Sequence, residues 1–92
     1  MVTAFILMNV ETGRLRTLAE ELLEIKGIAE VYSVAGEWDL VAIARVREQE
    51  SLSDLITEHI AGLHGIRKTE TLIAFRAFSK RDIAAMWDIG VD

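Results

Sequence analysis

Two stretches of this chain repeat each other at a fixed offset, and that repeat limits its possible folds more than any other feature. Lys26-Gly27-Ile28 and His64-Gly65-Ile66 lie 38 residues apart. At the same offset Leu18 meets Ile56, Leu22 meets Ile60, Ile25 meets Leu63 and Ser33 meets Thr71. Each copy sets a glycine between an amphipathic stretch and an apolar one. Glycine adopts the positive φ with which helices commonly end. Each copy therefore reads as a helix running into a strand, and the chain as two similar halves.

The surrounding elements complete the halves. Residues 2–10 (VTAFILMNV) form a short, nearly unbroken apolar run rich in β-branched and aromatic residues, which predicts a strand covered on both faces. Residues 14–26 place Leu15, Leu18, Ala19, Leu22 and Ile25 at steps of three or four, with Glu20, Glu21 and Glu24 opposite. That is one helical stripe. Thr12 is the expected N-cap, although Arg14 and Arg16 oppose the helix dipole. Residues 28–35 and 38–47 read as antiparallel strands about a two-residue type II′ turn at Gly36-Glu37. Ser51 and Asp54 resemble a capping box, followed by a stripe of Leu52, Leu55, Ile56, Ile60 and Leu63. Residues 66–78 predict a last strand, and Ser79 with Asp82 a short C-terminal helix to about residue 88.

The order is β-α-β-β-α-β plus that helix: an α+β, ferredoxin-like chain. Crossover handedness puts both helices on one face of an antiparallel sheet. No proline or low-complexity tract interrupts it, so residues 1–92 read as a single domain. A sheet covered on one face should alternate apolar and polar residues. Yet Val41, Ala42, Ile43 and Ala44 are all apolar. Asp39 shares a face with Val41 and Ile43 and stands at the mouth of an apolar surface. The second face therefore calls for another cover, and a second copy's sheet is the simplest. The expectation is a homodimer.

Composition closes off several function classes. The net charge of −5 is wrong for gripping a phosphate backbone. There is no cysteine, so neither a disulfide framework nor a thiolate metal site is expected, which fits a cytoplasmic setting. His59 and His64 make no zinc site by themselves. The first ten residues are too short an apolar run for a signal peptide or a membrane span. No cysteine nucleophile, histidine–carboxylate spacing or phosphate loop points to an enzyme, and no cofactor is expected.

The ordered set Val34-Ala35-Gly36-Glu37-Trp38-Asp39-Leu40, Leu63-His64-Gly65-Ile66 and Thr69-Glu70-Thr71 resembles the ligand-binding (RAM) domain of the Lrp/AsnC, or leucine-responsive regulator, family. The resemblance covers about residues 3 to 78. His64 stands where many relatives have proline. Full-length regulators carry a helix-turn-helix before this domain, whereas this chain starts at the first strand and looks like a stand-alone sensing domain. The resemblance implies a dimer of facing sheets, a dimeric α/β barrel, assembling into octamers or decamers. It implies free amino acids as ligands between dimers, bound by Gly36, Glu37, Trp38, Asp39, Thr69 and Thr71. Full-length regulators of the family are further partners; direct nucleic-acid and membrane contacts are not expected. The competing class is a cofactor-free enzyme of the dimeric α/β-barrel type, which shares the topology.

Each residue also has a plain structural reading. Asp39 could hold a ligand's ammonium, or only bond nearby backbone at a strand end. Gly36 serves the turn in either case. Trp38 is a packing anchor on the face opposite Asp39 if the strand is regular there. Thr69 and Thr71 share a face and suit a zwitterion, but threonine is common in strands anyway.

Overall fold

The computed structural model describes residues 1–80, and the two halves are visible within them. The first comprises β1 (Val2–Val10), α1 (Leu15–Leu23) and β2 (Ile28–Ser33). The second comprises β3 (Leu40–Val46), α2 (Gln49–Asp54) continuing as a π-helical segment (Leu55–Ile60), and β4 (Ile66–Ile73). The sheet order is β2-β3-β1-β4, with every neighbouring pair antiparallel. The first strand of each half is central and the second is an edge. The 38-residue offset carries Val2, which opens β1, onto Leu40, which opens β3. It also carries Gly27 onto Gly65, whose φ angles are 103° and 99°.

The core lies between the helices and one sheet face. Ala4, Ile6, Met8 and Val10 alternate inward along β1, beside Leu40, Ala42 and Ala44 of β3. Leu18 and Leu22 of α1 cover them, together with Leu52, Leu55 and Ile60. Fully burying a leucine-sized side chain contributes about 1.5–3 kcal/mol. Ile6, Met8, Leu18, Leu22 and Leu40 are fully buried.

The opposite face has no helix. Phe5, Leu7, Val41 and Ile43 lie there by register, with Tyr32 on β2 and Leu72 on β4. Phe5 is 36% exposed, and Tyr32 and Leu72 are each 49% exposed. Within this chain β1 is therefore covered on one face only, and Val41 and Ile43 are half-buried by their neighbours. A polar cluster marks the β2 side. The Tyr32 hydroxyl donates to Glu30 Oε2 at 2.6 Å, and Glu30 pairs with Arg45 at 3.6 Å. The hydrogen bond to Glu30, and then its negative charge, push the Tyr32 phenol above its ordinary pKa.

Several element boundaries differ from the expectation. Leu15 opens α1 with Arg14 at the N-cap, where no side chain caps the helix. Thr12 does not serve, because Gly13 turns with φ 88° and Arg14 is bonded elsewhere. The second helix starts before Ser51, with Glu48 at its N-cap, so the Ser51/Asp54 box does not form its start. The last strand stops at Ile73 rather than Phe78. The short C-terminal helix expected from Ser79 to about residue 88 falls almost wholly outside the described residues.

Candidate functional site

The three segments that carried the family resemblance meet at one end of the sheet. This end holds the β2–β3 connection, the C-terminus of β1 and the N-terminus of β4. The connection is not a two-residue hairpin. Ser33 and Leu40 are the last register pair, and Val34 N–H then donates to the Asp39 carbonyl at 3.0 Å. Residues 35–38 form the loop between them. The reason lies in Asp39, which is tied to β1 as well as β2. Its N–H donates to the Met8 carbonyl at 2.9 Å, and its Oδ2 accepts the Val10 N–H at 2.9 Å. Asp39 is half-buried and fastens the loop to the end of β1.

That carboxylate has a further effect on the sheet. The β1–β4 register shifts between Asn9 and Val10. Asp39 supplies the acceptor for the Val10 N–H at that irregularity. The plain reading of Asp39, a strand-end carboxylate holding backbone, is thus realised in the fold.

The other predicted residues divide between the two faces. Gly36 has φ 125°, and a Cβ there would meet nothing within 4 Å. Glu37 is exposed beside it. Trp38 is half-buried, with the Lys68 ammonium 5.3 Å from its ring centroid. Lys68 pairs in register with Asn9 on the helix-free face. Thr69 and Thr71 pair with Met8 and Ile6, so both stand on the helix-covered face. Thr69 lines a groove of about 230 Å³ with Ile56, Ile60, Leu63 and Ile66. The site's tryptophan and threonines therefore sit on opposite sides of the sheet end, joined by the β4 backbone.

Two components were not legible in the sequence. Lys68 lies 30 residues from Trp38, and no local pattern pairs them. The apolar wall from Ile56 and Ile60 read only as a core stripe. The helix-to-strand junction is secured from β1 and α1. Glu11 N–H donates to the Gly65 carbonyl at 2.8 Å, and Arg14 Nη2 bonds both the His64 carbonyl (2.8 Å) and Glu21 Oε1 (3.1 Å). Among the described residues no group of three or more His, Cys, Asp or Glu side chains is arranged to hold a metal. No helix among them is long and apolar enough to cross a membrane.

Comparison with known proteins bears on the family and the fold. The family profile described as Lrp/AsnC ligand binding domain matches residues 3–83. An HTH-type transcriptional regulator of Pyrococcus horikoshii, PH1916, is 33% identical over 76 residues, covering 79% of this chain and 51% of that protein. The chain thus spans about half the length of the curated relatives it matches. The crystal structure of TTHA0845 from Thermus thermophilus superposes with a TM-score of 0.82 at 45% identity, covering 87% of this chain and all of that one. A feast or famine regulatory protein of M. tuberculosis, complexed with L-methionine, shares the fold with a TM-score of 0.68 at 23% identity, over 88% of this chain and 55% of that one. The Pyrococcus relative is named as an HTH-type transcriptional regulator, and the matching profile is that of a ligand-binding domain. The chain belongs to the Lrp/AsnC ligand-binding domain family.

Proposed function

We propose that this chain is an oligomeric amino-acid-sensing domain with a regulatory role in amino acid metabolism or transcription. The observation that carries the reading is the convergence of the Gly36–Asp39 turn, the His64–Ile66 junction and Thr69 at one sheet end, beside a groove walled by Ile56, Ile60 and Leu63 and edged by Arg67 and Lys68. A zwitterion needs both hydrogen-bond donors and acceptors, with room for a side chain. Backbone N–H groups of the turn and the Asp39 carboxylate offer those groups at the loop, and the Thr69 hydroxyl offers them at the groove, which has room for a side chain. L-methionine complexes of relatives from M. tuberculosis and Neisseria meningitidis support an amino acid as the ligand class.

The turn is open on its outer side, with Gly36 uncrowded and Glu37 exposed, so a neighbouring protomer can complete the pocket. The bare apolar sheet face supports a dimer of facing sheets. Assembly of dimers into octamers or decamers, and contact with full-length regulators of the family, extend the same reading. The net charge of −5 argues against this domain holding DNA directly, and the reading places it in the cytoplasm.

Calorimetry with the twenty amino acids tests the reading, with light scattering for any that binds. A true ligand raises the melting temperature by mass action. Binding should weaken in Asp39→Asn and in Thr69→Val. If no amino acid binds, or if both variants bind as well as wild type, this reading is wrong.

A further inference from the structure

A second groove lies toward the other end of the sheet, across the π-helical segment whose Ile56 and Ile60 wall the first groove and whose Leu55 and His59 wall this one. It is the larger of the two, about 710 Å³. None of the residues discussed above as the ligand site lines it. Its walls come from the α1–β2 junction, the C-terminal end of β3, and α2 with its π-helical continuation.

The charge of this groove runs against that of the chain. Lys26, Arg45 and Arg47 line it, with Asp54 the one acidic side chain in the lining. The whole chain carries −5. Backbone geometry holds the cations together: Arg45 N–H donates to the Gly27 carbonyl at 2.8 Å, which sets the Lys26–Gly27 corner against the end of β3. Arg45 has one ion pair, the 3.6 Å contact with Glu30, in which both side chains are nearly half exposed. Such a pair is weak in water. Lys26 and Arg47 have no ion pair within 4 Å among the described residues. Beside the cations lie the Ser51 hydroxyl and the His59 ring, and the floor is apolar, built from Val46 and the buried Leu55.

We propose that this groove is a second small-molecule site, for a phosphorylated organic anion of nucleotide size. The Arg47 guanidinium fork and the Lys26 ammonium match the oxygens of a phosphate, which they bind with charge-assisted hydrogen bonds, while the Arg45 side chain is turned to Glu30 on the helix-free face. The apolar floor suits the organic body. Sites for small molecules typically enclose about 300–1,000 Å³, a range that includes this groove. The site is separate from the amino-acid site in residues and in position, so either can fail without the other.

The test uses the whole chain, with AMP and inorganic pyrophosphate as probes at matched ionic strength. Isothermal calorimetry and thermal shift should show saturable binding of AMP with sub-millimolar affinity. Pyrophosphate should compete with it. The exposed double variant Lys26→Gln/Arg47→Gln should lose at least about tenfold in affinity, or about 1.4 kcal/mol. The control Arg16→Gln/Arg76→Gln removes the same charge elsewhere and should bind AMP as wild type does, as should Asp39→Asn. Circular dichroism confirms that each variant is folded. Absence of saturable binding at about 10 mM AMP, an affinity too weak for a built site, overturns the proposal. So does an equal loss in the control variant, which would mean diffuse charge alone. Preferential binding of duplex DNA, with a steep salt dependence, overturns it in favour of a nucleic-acid surface.

Discussion

Asp39 shows how one side chain can hold a fold and still stand at a site. Its carboxylate is the acceptor for Val10 N–H, so Asp39→Ala should leave that donor without a partner in a half-buried place. A cost of about 1–2 kcal/mol follows, measurable by urea unfolding. Asp39→Asn keeps an acceptor oxygen and should cost less than about 1 kcal/mol. A variant that is well folded yet fails to bind an amino acid would separate the two roles. The glycines of the repeat differ in the same residue-level way. Both need positive φ, but a Cβ on Gly27 would sit 2.8 Å from the buried Leu55 Cδ1, whereas one on Gly65 meets the Arg14 side chain. Gly27→Ala and Gly65→Ala should each cost about 2–3 kcal/mol, because the Arg14 atoms met at Gly65 include its Cβ and Cγ and its guanidinium is held by the His64 carbonyl and Glu21. A wild-type melting temperature in either variant would contradict this.

The second helix is the element that departs most from its sequence pattern. Leu55 and Ile60 are both buried, five residues apart. At about 100° per residue an α-helix would place them roughly 140° apart, on different faces. The structure resolves this by widening the turn: the Ala61 N–H bonds the Ile56 carbonyl five residues back at 3.0 Å. A π-turn of this kind accommodates one residue more than an α-helical register needs. Deleting the exposed Thr57 should therefore return the segment to α-helix with less than about 1 kcal/mol lost, as is usual for changes at exposed positions. The same deletion at Thr17, inside α1, would rotate Leu18 and Leu22 out of the core and should cost several kcal/mol, on the scale of large core truncations. Thermal melts of the two deletions compare them directly. The cation–π contact of Lys68 with Trp38 also belongs to this scale, since it ties an edge strand to a loop 30 residues away.

For the whole molecule, the decisive feature is the sheet face without helices. A 92-residue domain buries a limited share of its surface, and here Phe5, Tyr32 and Leu72 remain substantially exposed. Covering them with a second copy is the most direct source of further stability. Ile43→Glu would put a carboxylate near the middle of that face, costly to bury unpaired. Multi-angle light scattering should find wild type associated at micromolar concentration and the variant near the single-chain mass of 10.3 kDa. A wild-type chain that is already monomeric would remove the basis for facing sheets. Both grooves are walled by the second helix and so lie on the helix-covered side, which leaves the helix-free face to a partner.

Much of this fold is legible in the sequence. The repeat of Lys26-Gly27-Ile28 in His64-Gly65-Ile66 and the apolar runs determined the element order and the pairing of halves, but not which residues of the unbroken apolar β1 point inward. Those features follow from periodicity and glycine geometry, which act locally. Tertiary structure alone decided the rest. It ended the β2–β3 pairing at Val34 and Asp39, because Asp39 is held by β1. It parted Trp38 from Thr69 and Thr71 across the sheet, because β4 is read in register with β1. It also gathered Lys26, Arg45 and Arg47 into one groove, because the end of β3 is bonded to the Gly27 corner. Each of these depends on contacts between residues far apart in the chain, and no local pattern encodes them.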